Sequence, residues 1–224
     1  MKKAIVLFLS FFLVLSFEFT ASAEAHRAIS HGNRQEKRIA LTFDDGPHPR
    51  YTEKILGILE KYDVKATFFM IGSNARLYPD VARKVSAAGH EIGNHTYTHP
   101  HMLKLSEEGL LEEIKKTESV FSEIGIKKPR LFRPPEGYRT KEQCEVLSKE
   151  DYRVVVWSLD THDWQGKPSS EIIKHVEENI KGGDILLFHD YISGQNTTIT
   201  ALEQLIPKLL KDGYEFVCVS DLCL

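Results

Sequence analysis

Short apolar runs alternate with amphipathic stretches of helical length along most of this 224-residue chain. The apolar runs are rich in β-branched and aromatic residues, which predicts strands, and the amphipathic stretches predict helices. This alternation is typical of βα units around a mostly parallel sheet. The predicted strands are Arg38–Phe43, Ala66–Ile71, Glu91–Gly93, Leu131–Arg133, Arg153–Ser158, Asp184–Phe188 and Glu215–Val219. The predicted helices are Thr52–Tyr62, Tyr78–Ala88, Ser106–Ile124, Thr140–Lys149, Ser169–Ile180 and Thr200–Lys211.

Seven such strands in one domain predict an α/β fold, but periodicity does not choose between a closed barrel and an open doubly wound sheet. In both architectures the chemistry collects where the parallel strands end. Polar residues of this chain follow that rule. They are Asp44 and Asp45 after the first strand, His95 after the third, Arg133 at the end of the fourth, Asp160 to Asp163 after the fifth, and His189 after the sixth.

The first 23 residues are expected to be a secretory signal peptide. Two lysines precede the apolar run Ala4–Phe17, and Ala21-Ser22-Ala23 has the small residues of a cleavage site. The run is shorter than the roughly 20 residues of a spanning helix. Residues 24–35 are polar and without periodicity, which predicts a flexible leader. Residues 36–224 are then expected to form one domain, and we expect a secreted protein, extracellular or in the cell wall, with no membrane span after cleavage.

Composition argues against two other classes of protein. The 29 basic and 32 acidic side chains give a formal charge of −3, so the basic surface that a nucleic-acid partner requires is missing. Three cysteines are too few for a disulfide scaffold. Cys218 and Cys223 are close enough in sequence to pair, but sequence alone does not establish the geometry of a bridge.

A pair of adjacent carboxylates and a pair of spaced imidazoles predict a divalent metal site. Asp44 and Asp45 end the first strand, where neighbouring like charges favour a metal ion or an arginine beside them. His95 and His99 lie four residues apart, a spacing that lets both converge on one face of a helical turn. One Asp with the two His makes three protein ligands, which leaves a position open for water as catalytic zinc requires.

Two further segments are candidates for catalytic roles. In Arg133-Pro134-Pro135-Glu136-Gly137 the prolines stiffen the backbone, so the amide of Glu136 could donate to an oxyanion while Arg133 orients a carboxylate such as Asp44. His189 ends an apolar strand, and a nearby Asp163 would favour its imidazolium form. A protonated His can give its proton to a departing amine.

Together these segments resemble the motifs of the polysaccharide deacetylases, the NodB-type carbohydrate esterase family. The family motifs T-F-D-D-G, H-[ST]-x-x-H, R-x-P-x-G, D-x-x-D-W and L-x-H occur in this order as Thr42–Gly46, His95–His99, Arg133–Gly137, Asp160–Trp164 and Leu187–His189. The resemblance implies a single-domain, distorted (β/α) barrel of about seven parallel strands. It also implies a divalent metal, usually Zn²⁺ with Co²⁺ or another ion possible, and removal of N-acetyl groups from amino sugars.

Carried over by position, the resemblance assigns a role to each site residue. Asp44 is the expected general base, Arg133 orients it, His189 is the general acid and Asp163 tethers His189. Asp45, His95 and His99 are the expected metal ligands. The expected substrate pocket is formed by the amide of Glu136, which holds the oxyanion, and by Trp164 and Leu187, which line the space for the acetyl methyl group.

The implied reaction is amide hydrolysis by metal-bound water, with Asp44 as base and His189 as acid. The substrate is a polysaccharide such as peptidoglycan or a chitin-like polymer, and the protein is expected to be a monomer. The first family motif, Thr42–Gly46, keeps both of its acids, and this favours N-acetylglucosamine over N-acetylmuramic acid as the substrate unit. Glu136 stands at a position where many members of the family have an aromatic residue. The same scaffold could instead be an O-acetyl esterase on xylan-type polymers, or a carbohydrate-binding protein without turnover.

Overall fold

The structure is a computed structural model and describes residues 28–191 and 197–223. The predicted signal peptide and residues 24–27 of the predicted leader lie outside the described residues. The strands are β1 (Arg38–Asp44), β2 (Thr67–Met70), β3 (Glu91–Asn94), β4 (Leu131–Phe132), β5 (Arg153–Val154), β6 (Leu159–Asp160), β7 (Ile185–His189) and β8 (Glu215–Phe216). The helices are α1 (Tyr51–Lys61), α2 (Gly72–Leu77), α3 (Pro79–Ala87), α4 (Glu107–Glu123), α5 (Lys141–Lys149), α6 (Ser169–Asn179), α7 (Thr197–Lys211) and α8 (Val219–Cys223).

The strands form one parallel sheet in the order β5-β4-β3-β2-β1-β7-β6, and β8 pairs with the start of β1. Every strand pair in this sheet is parallel. The α/β class, the single domain and the distorted barrel with a path of seven strands are therefore confirmed. Because β1 lies near the middle of this path, the residues at its carboxyl end face residues from both halves of the sheet.

Of the predicted strand Arg153–Ser158, only Arg153–Val154 is a strand, and β6, which was not predicted, begins directly after this segment at Leu159. Residues 153–154 pair with β4 at one edge, and the chain then reaches β6, which pairs with β7 at the other edge. Five residue steps separate Val154 from Leu159, which span at most roughly 17 Å. The connection therefore limits the separation of the two edges, and the sheet curls into a distorted barrel that is open between β5 and β6.

Alternation along β1 sends its side chains to two different layers. Ile39, Leu41 and Phe43 pack with residues of α1 and α7 in the main hydrophobic core. Ala40 belongs to a smaller apolar cluster that includes residues of β2, β4 and β7. Because successive strand residues point to opposite faces, Thr42 and Asp44 share the face of Ala40 and point toward the inside of the curled sheet.

The predicted helix Ser106–Ile124 is confirmed as α4, one residue shorter at each end. The Ser106 hydroxyl accepts a hydrogen bond from Gly109 N, so Ser106 caps the helix as expected. The apolar stripe Leu110, Ile114 and Phe121 is buried. Two short helices, α2 and α8, were not predicted, because neither is long enough to show a helical period.

Part of the predicted flexible leader is attached to the sheet. Ile29 N donates to Val154 O and Ile29 O accepts from Val156 N, both at 2.8 Å. The Arg34 guanidinium forms an ion pair with the buried carboxylate of Asp184. The described residues from Ile29 to Arg34 therefore cover the β5 edge and the start of β7, which differs from the expectation of a mobile segment.

Two smaller expectations are also tested by the described residues. Cys144, Cys218 and Cys223 are all free, so Cys218 and Cys223 do not form the bridge that their spacing allowed. None of the helices in residues 28–191 and 197–223 is both long and apolar enough to cross a membrane.

Candidate active site

A cavity of about 650 Å³ opens where the strands end, and it contains most of the predicted site residues. Eight of the ten line its wall. The lining residues are Asp44, Asp45, His95, His99, Glu136, Trp164, Leu187 and His189, joined by His101, Tyr138, Trp157 and Asp160. The other two predicted residues, Arg133 and Asp163, lie behind the wall and contact Asp44 and His189.

Asp44 is held by a buried arginine. Its Oδ1 accepts a hydrogen bond of 2.7 Å from Arg133 Nη1, which also donates to Thr42 Oγ1 at 2.7 Å. Arg133 Nη2 donates to Val156 O, and the guanidinium stacks over the ring of Phe69 at 4.0 Å. Burial lowers the pKa of Arg133, and Asp44 opposes that shift. The guanidinium thus fixes the Asp44 carboxylate in one orientation.

The predicted metal ligands converge on one point. Asp45 Oδ1 lies 3.5 Å from His95 Nε2 and 3.4 Å from His99 Nε2. One ligand atom from each of the three residues lies within 4.8 Å of the others. Asp45 Oδ1 is buried and has no hydrogen-bond partner among the described residues. A buried carboxylate oxygen without a donor beside two imidazole nitrogens fits a divalent cation.

Contacts behind the ligands fix their orientation. His95 Nδ1 donates to Arg133 O at 2.7 Å, which leaves Nε2 free to face Asp45. Burial alone would lower the pKa of His95, but Asp44 and Asp45 raise it. Burial alone would raise the pKa of Asp45, but His95, His189 and His99 lower it, so this carboxylate is ionised.

The two imidazoles meet through a loop and not, as expected, on a helical turn. Thr96 and His99 have φ values of 67° and 57°, in the left-handed region. Glu113 of α4 holds this loop, because its carboxylate accepts from the amides of Tyr97 and Thr98 at 2.8 and 2.7 Å. Sequence reasoning missed Glu113, since its partners lie 15 and 16 residues away and no local pattern links them.

His189 is tethered to Asp163 at two points. Its Nδ1 lies 2.8 Å from Asp163 Oδ1, and its backbone amide donates to Asp163 Oδ2 at 2.8 Å. Thr198 Oγ1 also donates to that carboxylate. Burial lowers the pKa of His189, but Asp163 first, then Asp44 and Asp45, raise it to about 9. The imidazole can therefore hold a proton near neutral pH with Nε2 directed away from Asp163.

The base and acid candidates stand side by side on neighbouring strands. Asp44 of β1 is the register partner of His189 of β7. Residues paired in this way lie about 4.8 Å apart between strands and point to the same face of the sheet. The carboxylate and the imidazole thus share one end of the cavity, where they are placed to act as the predicted base and acid.

Aromatic and acidic side chains form the rest of the wall. Trp164 is 52% exposed and its Nε1 donates to Asp160 Oδ1 at 3.3 Å, whereas Leu187 is buried. Tyr138 stacks on His101, with ring centroids 5.2 Å apart. Glu136 has φ 56°, and its carboxylate faces His101 at 4.0 Å. The predicted acetyl pocket therefore lies in a cavity with exposed flat rings, the kind of surface on which sugar rings stack.

Comparison with known proteins identifies relatives of the whole domain. The polysaccharide deacetylase family profile matches residues 31–155. A peptidoglycan-N-acetylglucosamine deacetylase of Bacillus cereus is 42% identical over 189 residues, which cover 84% of this chain and 88% of that protein.

Two solved structures share the fold. One is a peptidoglycan N-acetylglucosamine deacetylase, with a TM-score of 0.85 and 34% identity over 88% of this chain and 92% of that one. The other is a CE4-family pseudoenzyme from Bacillus anthracis, with a TM-score of 0.82 and 32% identity over 88% and 68%. Similarity of fold in this group therefore does not by itself establish turnover.

Proposed function

The chain belongs to the polysaccharide deacetylase family, and from that premise we propose that it is a secreted, metal-dependent hydrolase of N-acetyl groups. The proposed substrate is the N-acetylglucosamine unit of peptidoglycan, or of a chitin-like polymer. The observation that carries the proposal is the register pairing of Asp44 with His189 beside the Asp45, His95 and His99 cluster. One cavity thus holds a base, an acid and a cation site.

Asp45, His95 and His99 would hold the divalent ion, for which Zn²⁺ is the first choice with this donor set. When bound, such an ion supplies Lewis-acid chemistry, because it polarises a carbonyl group and lowers the pKa of water. Three protein ligands leave room for other groups around the ion.

The chain's own residues then move the protons. Asp44, oriented by Arg133, removes a proton from the water that attacks the acetamide carbonyl. The amide of Glu136 is assigned to the oxyanion. His189 gives its proton to the departing amine, which would otherwise be a poor leaving group, and Asp163 keeps the imidazole protonated and aligned. The products are acetate and a free amino sugar.

The flat rings around the cavity support a sugar substrate. Trp164 and Tyr138 are about half exposed although both are large and aromatic, and Leu187 adds an apolar side chain to the cavity wall. We assign the acetyl methyl to the space between Trp164 and Leu187. Secretion rests on the predicted signal peptide of residues 1–23, followed by the leader and the domain of residues 36–224.

The test is mass spectrometry of substrate polymers after incubation with the protein. N-acetylglucosamine oligomers and digested peptidoglycan are treated with and without chelator, and zinc is then added back. We expect loss of acetyl mass only with metal, and a fall of about 10²–10⁴-fold in Asp44→Asn. Asp80→Asn, which changes an exposed carboxylate on α3, serves as the matched control and retains full activity.

The other outcomes identify the alternatives. Cleavage of acetylated xylan without loss of any amide acetyl group would assign the site to O-acetyl ester hydrolysis. Zinc binding without turnover on any of these polymers would place the protein with non-catalytic relatives. Loss of acetyl mass from muramic acid units in place of glucosamine units would overturn the proposed substrate while leaving the chemistry intact.

A further inference from the structure

Asp190 is a buried acid that has no part in the proton transfers described above. It follows His189 and is only 1% exposed. Its Oδ2 accepts a hydrogen bond from Thr52 Oγ1, and its Oδ1 has no partner among the described residues. Burying a carboxyl group costs free energy unless hydrogen bonds or opposite charges compensate for the lost water. Its contacts therefore indicate what the group does.

Those contacts hold the two ends of one turn. The amide of Asp190 donates to Asp44 O at 3.1 Å, which fixes the start of the turn. The hydroxyl of Thr52 accepts from His48 N at 2.8 Å while it donates to the Asp190 carboxylate, which fixes the end. The residues between Asp44 and His48 include Asp45, the carboxylate of the cation site.

The Asp190 carboxyl also packs against the middle of the same turn. A Cβ atom added to Gly46 would lie 2.1 to 2.4 Å from the three carboxyl atoms of Asp190. Only glycine leaves space for this group. Asp45 itself has φ 75°, a conformation that a residue other than glycine keeps only when its surroundings hold it there. Asn74 contributes from the other side, because its Nδ2 donates to Asp45 O at 2.7 Å.

We propose that Asp190 and Thr52 are positioning residues that hold the Asp45 turn in the conformation needed to bind the cation. The link runs from the Asp190 carboxylate through the Thr52 hydroxyl to the His48 amide, with Gly46 packed beside it. Neither residue is part of the cavity wall. The proposal rests on the proposed cation site and adds the element that shapes it.

The first measurement is zinc affinity of the full chain by competition with a chromogenic chelator. Asp190→Ala removes the carboxyl group, and Thr52→Val removes the hydroxyl at nearly constant volume. Loss of contacts behind metal ligands weakens binding by 10–100-fold in other proteins, and we expect a loss of about that size in both variants. Asp190→Asn and Thr52→Ser keep an acceptor and a hydroxyl, so both should bind zinc within a few-fold of the wild type.

A matched control separates positioning from general stability. Thr67 is another fully buried threonine whose hydroxyl donates to a carboxylate, that of Glu91 at 2.9 Å, but it lies at the start of β2. Thr67→Val should lower stability and leave zinc affinity unchanged. Wild-type affinity in Asp190→Ala, or an equal loss of affinity in Thr67→Val, would overturn the proposal.

Hydrogen exchange of the metal-free protein tests the turn without any ion. We expect Asp190→Ala to speed exchange of the amides between residues 44 and 50, whereas Thr67→Val does not. If the wild type binds no zinc, the proposed function fails, and this exchange measurement still decides the inference. Unchanged exchange in Asp190→Ala would overturn it, and faster exchange confined to the turn would support it.

Discussion

At the scale of single residues, Arg133 and Asp44 depend on each other. Arg133 is fully buried, its Nε has no hydrogen-bond partner among the described residues, and Asp44 supplies its counter-charge at 2.7 Å. A buried charge that loses its partner costs more than the pair contributes when intact. Neutralising the candidate base should therefore affect stability as well as activity.

Asp44→Asn should lower the free energy of unfolding by about 3–5 kcal/mol, because it leaves the Arg133 guanidinium buried without a counter-charge. The double variant Asp44→Asn with Arg133→Met removes both charges and should recover most of that loss. Urea unfolding at neutral pH, followed by circular dichroism, measures both variants against the wild type. A double variant no more stable than Asp44→Asn would contradict this account of the pair.

The identities of the site residues could be predicted from the sequence, but their conformations could not. The ten predicted residues do collect at one cavity or directly behind it. The left-handed conformations of Asp45, Thr96 and His99 could not be predicted, because each of these residues normally avoids φ above zero. Such conformations are imposed by partners distant in sequence, such as Asn74 and Glu113.

At the scale of elements, periodicity predicted the long helices and the central strands within one to three residues. The predictions were wrong where elements are short. The predicted strand Glu215–Val219 ends at Phe216, and α8 begins at Val219. The last long helix was predicted as Thr200–Lys211 and begins three residues earlier, at Thr197, with Pro207 in its interior. Proline has no N–H to donate to the carbonyl four residues before it, that of Glu203. This carbonyl accepts a hydrogen bond from the Tyr62 hydroxyl at 3.4 Å.

The junction between β2 and β3 contains a histidine that should make the fold sensitive to acid. His90 is 8% exposed, and its Nδ1 accepts a hydrogen bond from Ala66 N, just before β2. Burial, with the nearby Lys65 ammonium, lowers the pKa of His90 from 6.5 to about 4. The unfolded chain takes up a proton below pH 6.5 that the folded chain binds only near pH 4.

The free energy of unfolding should therefore be highest above pH 6.5 and fall as the pH is lowered toward 4, by up to about 1.4 kcal/mol per pH unit from this group. His90→Asn keeps an acceptor near the Nδ1 position and removes the titration, so its stability should depend less on pH in this window. Urea unfolding between pH 4 and 7.5 measures the difference. The exposed His31→Asn is the control, and equal slopes in all three proteins would contradict the assignment.

At the scale of the whole molecule, the proposed cation site joins parts of the chain that are far apart in sequence. Asp45 follows β1, and His95 and His99 follow β3, so an ion held by all three would link the two strands across β2. A ligand that binds only the folded state stabilises it by an amount that grows with the logarithm of the ratio of ligand concentration to dissociation constant. Metal binding should therefore be visible as thermal stability.

Zinc at 100 times its dissociation constant should stabilise the fold by about 2.7 kcal/mol, which raises the midpoint of thermal unfolding by about 5–10 °C for a chain of this size. Chelator should reverse the shift. His99→Gln should abolish it, whereas His175→Gln on α6, outside the cluster, should keep it. Differential scanning calorimetry measures the unfolding midpoint of each protein with and without zinc. A zinc-dependent shift that persists in His99→Gln would place the ion elsewhere.

Among the residues that the structure describes, seven other than glycine are left-handed, and five of them lie in the motif segments of the site, at Asp45, Thr96, His99, Glu136 and His162. Each such conformation costs of order 1–3 kcal/mol. Substitutions that relax these positions would stabilise the chain, so these conformations persist only while selection for activity maintains the residues that impose them. Once such selection ends, substitutions at these strained positions should accumulate before substitutions that disrupt the barrel. Descendants of this lineage would then keep the shape of an enzyme, and even gain robustness, after losing its chemistry.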